Sequence, residues 1–287
     1  MDVAVLGFGP AGLYVAGKLA AEGLDVTLLG SPLRAFPEFM HWETVNEFQI
    51  RDFVLNEIQR AAVFSPDFRL TEKTLHGAII NTQALLDDLT FRAARYGADI
   101  LAEAQVTFLK RGGLSITWLD RVLKVEPEFV VVEASEGQPV PAIRTCRVPT
   151  NPDSIEFYGS SGMWVLPAGR EAIVEGSTRM AWHKFVNSAI LEVGRLQLPP
   201  KRELRQGNLF RVGRAAGQVS GPGWLMEEGL YAGKMLAEAL IQHFEGSESA
   251  ESGPDGAGLE TYTRYQKKEL LKTFLGSNPG PGNREVI

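Results

Sequence analysis

The pattern of hydrophobic positions near the start of the chain predicts a strand, a helix and a second strand in succession. An apolar run at residues 3–6 has the length and composition of a buried strand. A helix is predicted next, because the apolar residues Leu13, Ala16, Leu19 and Ala20 have the spacing of one helix face. Gly23 ends this helix, and a further apolar run at 25–29 predicts the second strand. Strand-helix-strand units of this kind are right-handed and begin a parallel sheet.

Three later patterns predict further elements of the domain that begins with this sheet. Residues 82–96 have the periodicity of a helix that Gly97 ends, and residues 98–125 alternate as short strands with a hairpin turn at 111–113. The apolar, β-branched run 129–133 is typical of a strand that is buried on both faces. The patterns together predict the α/β class, with a doubly wound, Rossmann-like domain that includes a three-stranded β-meander.

Prolines at 139, 141, 149 and 152 mark a change in the composition of the chain and indicate a domain boundary. Residues 155–178 are expected to form two strands and residues 182–196 a helix, before a strand at 208–212 and a long helix at 226–244. Gly229 and Gly233 lie one turn apart in this last helix and predict a close approach to another backbone.

These boundaries predict how the chain divides into domains. The Rossmann-like domain is expected to comprise residues 1–138 and 205–246, and a small α+β substrate domain residues 139–204. Residues 247–258 are rich in Gly, Ser and Glu and are expected to be a linker. Residues 259–287 are expected to be a C-terminal amphipathic helix and tail, and a peripheral membrane contact is the alternative to a docked helix.

Composition narrows the class of protein. The chain has 287 residues, a net charge of -6 and a single cysteine, Cys146. Without a basic stripe, nucleic acid is not expected as a partner. A single cysteine cannot form an internal disulfide, and neither a membrane-spanning run nor a signal sequence is found, so a cytoplasmic location is expected. The four histidines lack the spacing of a metal site, so no metal is expected.

Candidate chemistry lies in two glycine-rich segments. The first, Gly7-Phe8-Gly9-Pro10-Ala11-Gly12, joins the first strand to the first helix. In such a motif Gly7 permits the tight turn, Gly9 lets the backbone approach a pyrophosphate, and Gly12 lets the helix lie close to its strand. The helix N-terminus then offers N–H groups and partial positive charge to the anion. The second segment, residues 212–217, follows the strand expected at 208–212, and the two segments together bracket a dinucleotide site.

Four sequence blocks, in order, resemble the flavoproteins of the geranylgeranyl reductase type, which are relatives of the aromatic hydroxylases. The blocks are residues 7–12, residues 81–100, the segment Met163-Trp164-Val165-Leu166-Pro167, and residues 212–223 followed by 228–233. The resemblance implies a doubly wound FAD/NAD(P)-binding domain joined to a substrate domain. It also implies FAD as the cofactor and hydride transfer through flavin N5 to or from a small, apolar molecule.

The chain departs from this family at three places that touch the cofactor. Gly30 stands at the end of the second strand, where dinucleotide folds carry the acid that holds the ribose hydroxyls. Arg214 stands where the family has an aspartate, and Ala134-Ser135-Glu136-Gly137 where it has an Ala-Asp-Gly turn. Arg214 is either a partner for the pyrophosphate or a solvated side chain on a turn.

These departures keep two alternatives open. NADP(H) is one, because the missing acid at Gly30, with Ser31 and Arg34 nearby, suits a ribose 2′-phosphate. A binding or regulatory module that has lost cofactor chemistry is the other. The residues expected to contact the cofactor are Gly7, Gly9, Pro10, Ala11, Gly12, Gly30, Ser31, Arg34, Gly213, Arg214, Ala216, Gly217 and Gly223.

Catalytic side chains are not identified by the sequence. Tyr158, Trp164 and His183 lie in the expected substrate domain, but each is more readily explained as a structural residue. His41 is likewise expected at a surface or interface, and Cys146 as a small apolar residue. The substrate, the electron donor and the oligomeric state are not assigned.

Overall fold

A computed structural model describes eleven stretches of the chain. They are residues 1–65, 67, 69–109, 113–133, 138–146, 150–158, 163–169, 171–176, 190–198, 205–216 and 226–249.

The elements alternate between strands and helices in the first part of the chain and then become mainly strands. The strands are β1 (Val3–Phe8), β2 (Val26–Pro32), β3 (Glu38–His41), β4 (Val54–Phe64), β5 (Leu70–Ile80), β6 (Asp99–Ala102), β7 (Gln105–Phe108), β8 (Leu114–Trp118), β9 (Arg121–Val125), β10 (Phe129–Val132), β11 (Gln138–Cys146), β12 (Ser154–Tyr158), β13 (Met163–Ala168), β14 (Glu171–Gly176), β15 (Ile190–Leu198), β16 (Arg205–Gln206) and β17 (Leu209–Arg211). The helices are α1 (Pro10–Ala21), α2 (Trp42–Glu47), α3 (Thr82–Arg95) and α4 (Met226–Ser249), with 3₁₀ turns at Arg51–Phe53 and Gly213–Ala216.

The first sheet has the strand order β16-β17-β10-β1-β2-β6 and is parallel except at its β16 edge. Its strands are apolar on both faces because both faces are covered. In β1, Val3 and Val5 pack with helices α1, α3 and α4, whereas Ala4 and Leu6 pack with Leu114 and Ile116 of the β7-β8-β9 meander. The predicted doubly wound α/β fold with its meander is therefore confirmed.

A second sheet of eight strands has the order β15-β11-β14-β13-β12-β4-β5-β3. Strands β3, β4 and β5, which the sequence placed in the Rossmann-like domain, pair here with strands from the expected substrate domain, through the parallel contact of β4 with β12. The division of the chain into domains stays a prediction, but this sheet takes strands from both sides of the expected boundary. Long-range pairing of this kind leaves no local signal in the sequence.

The helix expected at residues 182–196 is wrong over its second half. Residues 190–198 form strand β15, which pairs antiparallel with β11. Pairing with a neighbouring strand satisfies the backbone there and overrides the weak local preference for a helix. The first half of the expected helix lies outside the described residues.

Helices α1 and α4 cross at two glycines. A Cβ atom on Gly229 would lie 2.5 Å from Cγ of Pro10, and one on Gly233 would lie 2.7 Å from the carbonyl oxygen of Ala11. The close approach predicted from this pair of glycines is therefore present, and it is made onto the first turn of α1. Helix α4 continues to Ser249, which is three residues into the expected linker. No helix of the described stretches has both the length and the apolar character needed to cross a membrane.

Candidate functional site

The turn between β1 and α1 has the backbone shape that its glycines predict. Gly7 has a φ of 121°, a conformation that side chains rarely allow. A Cβ on Gly12 would lie 2.6 Å from the carbonyl oxygen of Gly7 and 3.2 Å from Cγ1 of Val5. Gly12 thus lets the first turn of α1 lie against its own strand, as expected from the motif.

Glu133 fills the space in front of this turn, and the sequence did not identify it. Its side chain is 4% exposed. Its carboxylate accepts hydrogen bonds from the N–H of Ala11, at 3.0 Å, and from the N–H of Gly12, at 2.6 Å. A buried carboxylate at a helix N-terminus is stabilised by these N–H groups and by the positive end of the helix dipole.

The first turn of α1 therefore has its N–H groups engaged within the protein. Pro10 has no N–H, Ala11 and Gly12 donate to Glu133, and the N–H of Leu13 donates to the carbonyl of Gly9 at 3.0 Å. The interpretation that these donors face a pyrophosphate stays a prediction, and in this structure the anion that they hold is a protein side chain.

The second glycine segment meets the first at the same carboxylate. Gly213 follows β17 with a φ of 52°, and a Cβ on it would lie 2.7 Å from Oε1 of Glu133. The N–H of Ala215 donates to the backbone carbonyl of Glu133 at 3.2 Å, and Ala216 is buried at the end of the turn. Two segments far apart in the sequence thus form one site at the carboxyl ends of β1, β10 and β17. Gly217, Gly223 and the side chain of Arg214 lie outside the described residues.

The end of β2 holds the residues that the sequence linked to the ribose. Gly30 has a φ of 120° and lies against the glycine turn, since a Cβ on it would be 3.7 Å from the amide nitrogen of Gly7. The hydroxyl of Ser31 donates to Oε2 of Glu103 at 2.9 Å, and the N–H of Glu103 donates to the carbonyl of Gly30 at 2.8 Å. Arg34 follows two residues after β2 and is exposed. Glu103, which no sequence pattern indicated, thus brings a carboxylate to the place where β2 lacks one.

A polar network joins the start of α4 to β3 and α2. The carboxylate of Glu38 accepts the N–H of Met226 at 2.9 Å, and Nδ1 of His41 lies 3.0 Å from Oε2 of Glu227. The Thr44 hydroxyl donates to Oε1 of Glu227 at 2.8 Å. His41 therefore lies at an interface between elements, one of the two settings expected for it.

This network shifts the pKa values of its members. The hydrogen bond with Glu227 raises the pKa of His41 above its ordinary value. Burial acts to raise the pKa of Glu227, but the contacts with His41 and Thr44 outweigh burial and the pKa is lowered. Burial raises the pKa of the neighbouring Glu228 carboxyl. The pair His41 and Glu227 is thus favoured in its charged form.

Two further residues singled out in the sequence, Tyr158 and Trp164, have structural contacts. The ring of Tyr158 stacks on Phe64 with a centroid distance of 4.6 Å, and its hydroxyl donates to Glu156. Trp164 packs against Phe157 with a centroid distance of 4.5 Å. His183 and the side chain of Cys146 lie outside the described residues. No group of three or more His, Cys, Asp or Glu residues in the described stretches is arranged to hold a metal ion.

Comparison with known proteins agrees with the fold. Over 83% of its length, the chain is 29% identical to a digeranylgeranylglycerophospholipid reductase of Methanocella arvoryzae, of which it covers 78%. Among solved structures, a geranylgeranyl bacteriochlorophyll reductase-like protein of Thermoplasma acidophilum has a TM-score of 0.76 at 19% identity, over 96% of this chain and 86% of that chain. The p-nitrophenol 4-monooxygenase of Pseudomonas putida has a TM-score of 0.74 at 15% identity, over 96% and 88% of the two chains.

The fold and the site define an α/β protein of the FAD-dependent oxidoreductase class, and the resemblance to the geranylgeranyl reductase type is confirmed. The chain belongs to the lycopene cyclase protein family, whose model matches residues 2–147. That match spans the glycine turn, the end of β2, Glu103 and Glu133.

Proposed function

We propose that this chain binds FAD across its two glycine segments and transfers hydride, through flavin N5, to or from a small apolar substrate. The observation that carries the proposal is the meeting of these segments, since Gly9, Gly12 and Gly213 all border the Glu133 carboxylate. They meet at the carboxyl ends of parallel strands, which is where doubly wound folds bind their ligands.

The residues at this edge fit a dinucleotide in the shape of the backbone. Gly7 and Gly213 supply turns in the left-handed region, and Gly12 brings α1 close to β1. Because Glu133 takes the N–H groups of Ala11 and Gly12, the pyrophosphate needs other donors. Arg214, which lies within the second turn, is proposed to pair with it.

The flavin, when bound, supplies the hydride chemistry, and the protein supplies orientation and electrostatics. The contact of Glu38 with Met226 fixes β3 of the second sheet to the start of α4, the helix that follows the second glycine segment. The second sheet is thus held next to the proposed cofactor site. This arrangement supports its role as the sheet that receives the substrate.

An apolar substrate agrees with the character of that sheet. Phe39, Ile79 and Leu166 form part of a buried apolar cluster on it, and Trp164 is only partly buried at the side of this cluster. The relative from Methanocella arvoryzae is named for a lipid that carries geranylgeranyl chains. For this chain we propose only that the substrate is apolar.

The absorption spectrum of the purified protein, before and after addition of FAD, tests the cofactor. The expected result is a yellow protein with the flavin absorption bands. A colourless protein that takes up no added FAD would contradict the proposal. Replacement of FAD by 5-deaza-FAD tests the transfer step, because a 5-deazaflavin carries out hydride transfer but not one-electron chemistry. Reduction of substrate with 5-deaza-FAD is expected, and its complete loss would argue for single-electron steps.

A further inference from the structure

The end of β2 lacks the group that a dinucleotide fold uses for the ribose. Dinucleotide folds place an acid about 20 residues beyond the glycine turn, where it accepts hydrogen bonds from the ribose hydroxyls. Here Gly30 occupies that place. Because glycine has no side chain, β2 carries no carboxylate at this point. Gly30 has a φ of 120° and lies close to Gly7.

Glu103 reaches the same point from the neighbouring strand. Strand β6 runs parallel to β2, with Ala102 paired to Gly30, so Glu103 follows directly at the carboxyl end. Its N–H donates to the carbonyl of Gly30 at 2.8 Å, and its carboxylate accepts the hydroxyl of Ser31 at 2.9 Å. Both the backbone and the side chain of Glu103 are therefore tied to the end of β2.

The backbone of Glu103 indicates that its carboxylate has a use beyond folding. It has a φ of 61°, a region where glycine or asparagine is favoured and glutamate is strained. The residue is exposed, so apolar packing does not account for its presence. Strained residues at the edge of a binding site are commonly there for their side chain.

We propose that Glu103, oriented by Ser31, holds the adenosine ribose of the dinucleotide in place of the acid that β2 lacks. The inference rests on the proposed binding of FAD. A carboxylate offers about four acceptor positions, so the single hydrogen bond from Ser31 leaves capacity for both ribose hydroxyls. The hydroxyl of Ser31 fixes the orientation of the carboxylate before the ligand arrives.

The proposal also decides between the two dinucleotide classes that the sequence left open. A ribose 2′-phosphate would face the negative charge of Glu103, and the hydroxyl of Ser31, one of its expected partners, is engaged with that carboxylate. Like charges repel, so this carboxylate opposes the binding of a 2′-phosphate. The site therefore selects a ribose with free hydroxyls and disfavours NADP(H).

The test compares ligands with and without the adenosine ribose. Protein freed of bound flavin is titrated with FAD and with FMN, which lacks the adenosine half, for the wild type and the variants Glu103→Gln, Glu103→Gly and Ser31→Ala. Both Glu103 variants are expected to weaken FAD binding by about tenfold to a hundredfold, the range for a hydrogen bond to a charged group, and to leave FMN binding unchanged. Ser31→Ala is expected to weaken FAD binding less, because it removes only the orienting group.

Two controls separate binding from stability. Glu57→Gln removes an exposed glutamate of β4 and is expected to change neither titration. Glu103→Gly also relieves the strained backbone, so its thermal midpoint is expected to equal or exceed that of the wild type while its FAD affinity falls. Loss of affinity without loss of stability is a result that a purely structural glutamate would not give.

A third titration tests whether the charge of Glu103 disfavours a 2′-phosphate. Adenosine 2′,5′-bisphosphate is expected to bind Glu103→Gln better, relative to AMP, than it binds the wild type. Unchanged FAD affinity in both Glu103 variants, or equal weakening of FAD and FMN, would overturn the assignment of Glu103 while the binding of FAD stands. A wild-type protein that binds neither flavin would instead overturn the proposed function, and the assignment of Glu103 with it.

Discussion

The carboxylate of Glu133 occupies the space that a side chain on Gly9 would need. Gly9 has φ −87° and ψ 178°, extended values that any residue can adopt, so its backbone does not require glycine. A Cβ at this position would nevertheless overlap Oε1 of Glu133. In this chain, the glycine that dinucleotide motifs use for close approach to a pyrophosphate is needed for close approach to a protein carboxylate.

This relationship predicts that Gly9 and Glu133 are energetically coupled. Gly9→Ala should lower the free energy of unfolding by about 1–3 kcal/mol, the usual cost of overpacking. In a Glu133→Ala background the same substitution should cost less, because the overlapping oxygen is gone. Urea unfolding of the two single variants and the double variant measures the coupling, which we expect at about 0.5–3 kcal/mol.

Gly12→Ala is the matched control for this cycle. Its Cβ would also lie 2.6 Å from the carbonyl oxygen of Gly7, which the removal of Glu133 does not move away. It should remain costly in both backgrounds. Strictly additive effects for Gly9 and Glu133 would mean that the carboxylate is not what excludes a side chain from position 9.

Glu133→Gln should itself destabilise the fold. A glutamine amide has one oxygen, so its NH₂ group would face one of the two N–H donors of Ala11 and Gly12. A buried donor without an acceptor costs about 1–3 kcal/mol, which calorimetry would record as a lower thermal midpoint. The exposed Glu57→Gln serves for comparison, and a midpoint equal to that of this control would rule out the described hydrogen bonds as a source of stability.

The crossing of α1 and α4 predicts opposite effects for alanine at different glycines of one helix. Gly233→Ala should destabilise by about 1–3 kcal/mol, because its Cβ would lie 2.7 Å from backbone of α1. The Cβ that Gly246→Ala adds would have no atom within 4 Å. This variant should raise the free energy of unfolding by up to about 1 kcal/mol, since alanine is the better helix former. Chemical unfolding of both variants distinguishes them, and a stabilising Gly233→Ala would mean that the helices can separate without cost.

The contact of His41 with Glu227 predicts a pH-dependent contribution to stability. The folded pKa of His41 is raised, so its contribution is complete below the ordinary value of 6.5 and is lost as the pH rises through the folded pKa. The folded pKa of Glu227 is lowered, so its contribution is complete above 4.5 and is lost as the pH falls through the folded pKa.

His41→Gln should therefore destabilise more at about pH 5.5 than at about pH 8.5. The difference should stay below about 1 kcal/mol, because the His41 side chain is 55% exposed and solvent screens the pair. Unfolding curves of wild type and variant at the two pH values give the comparison. An effect of equal size at both values would assign the contact to packing rather than to charge.

Local patterns predicted the first sheet well because its elements carry their own signals. The apolar runs of β1 and β10 and the periodicity of α1 and α3 are confirmed, since each is decided by burial along a single segment. Glu133 and Glu103 could not be found in this way. Each stands one residue beyond a strand, and its role depends on which strand lies beside it, which the sequence pattern does not state. The same reason explains why the pairing of β3, β4 and β5 with strands of the expected substrate domain was not predicted.

The parallel pairing of β4 with β12 has a consequence for the newly made chain on the ribosome. Arg60 of β4 is paired with Ser154 of β12, so one edge of an eleven-residue strand has no partner until more than ninety further residues have been synthesised. An open edge of this length is a template for aggregation. Charges along β4 and the next strand, among them Arg60 and Glu72, would keep that edge soluble during the delay, before Arg60 pairs with Asp153.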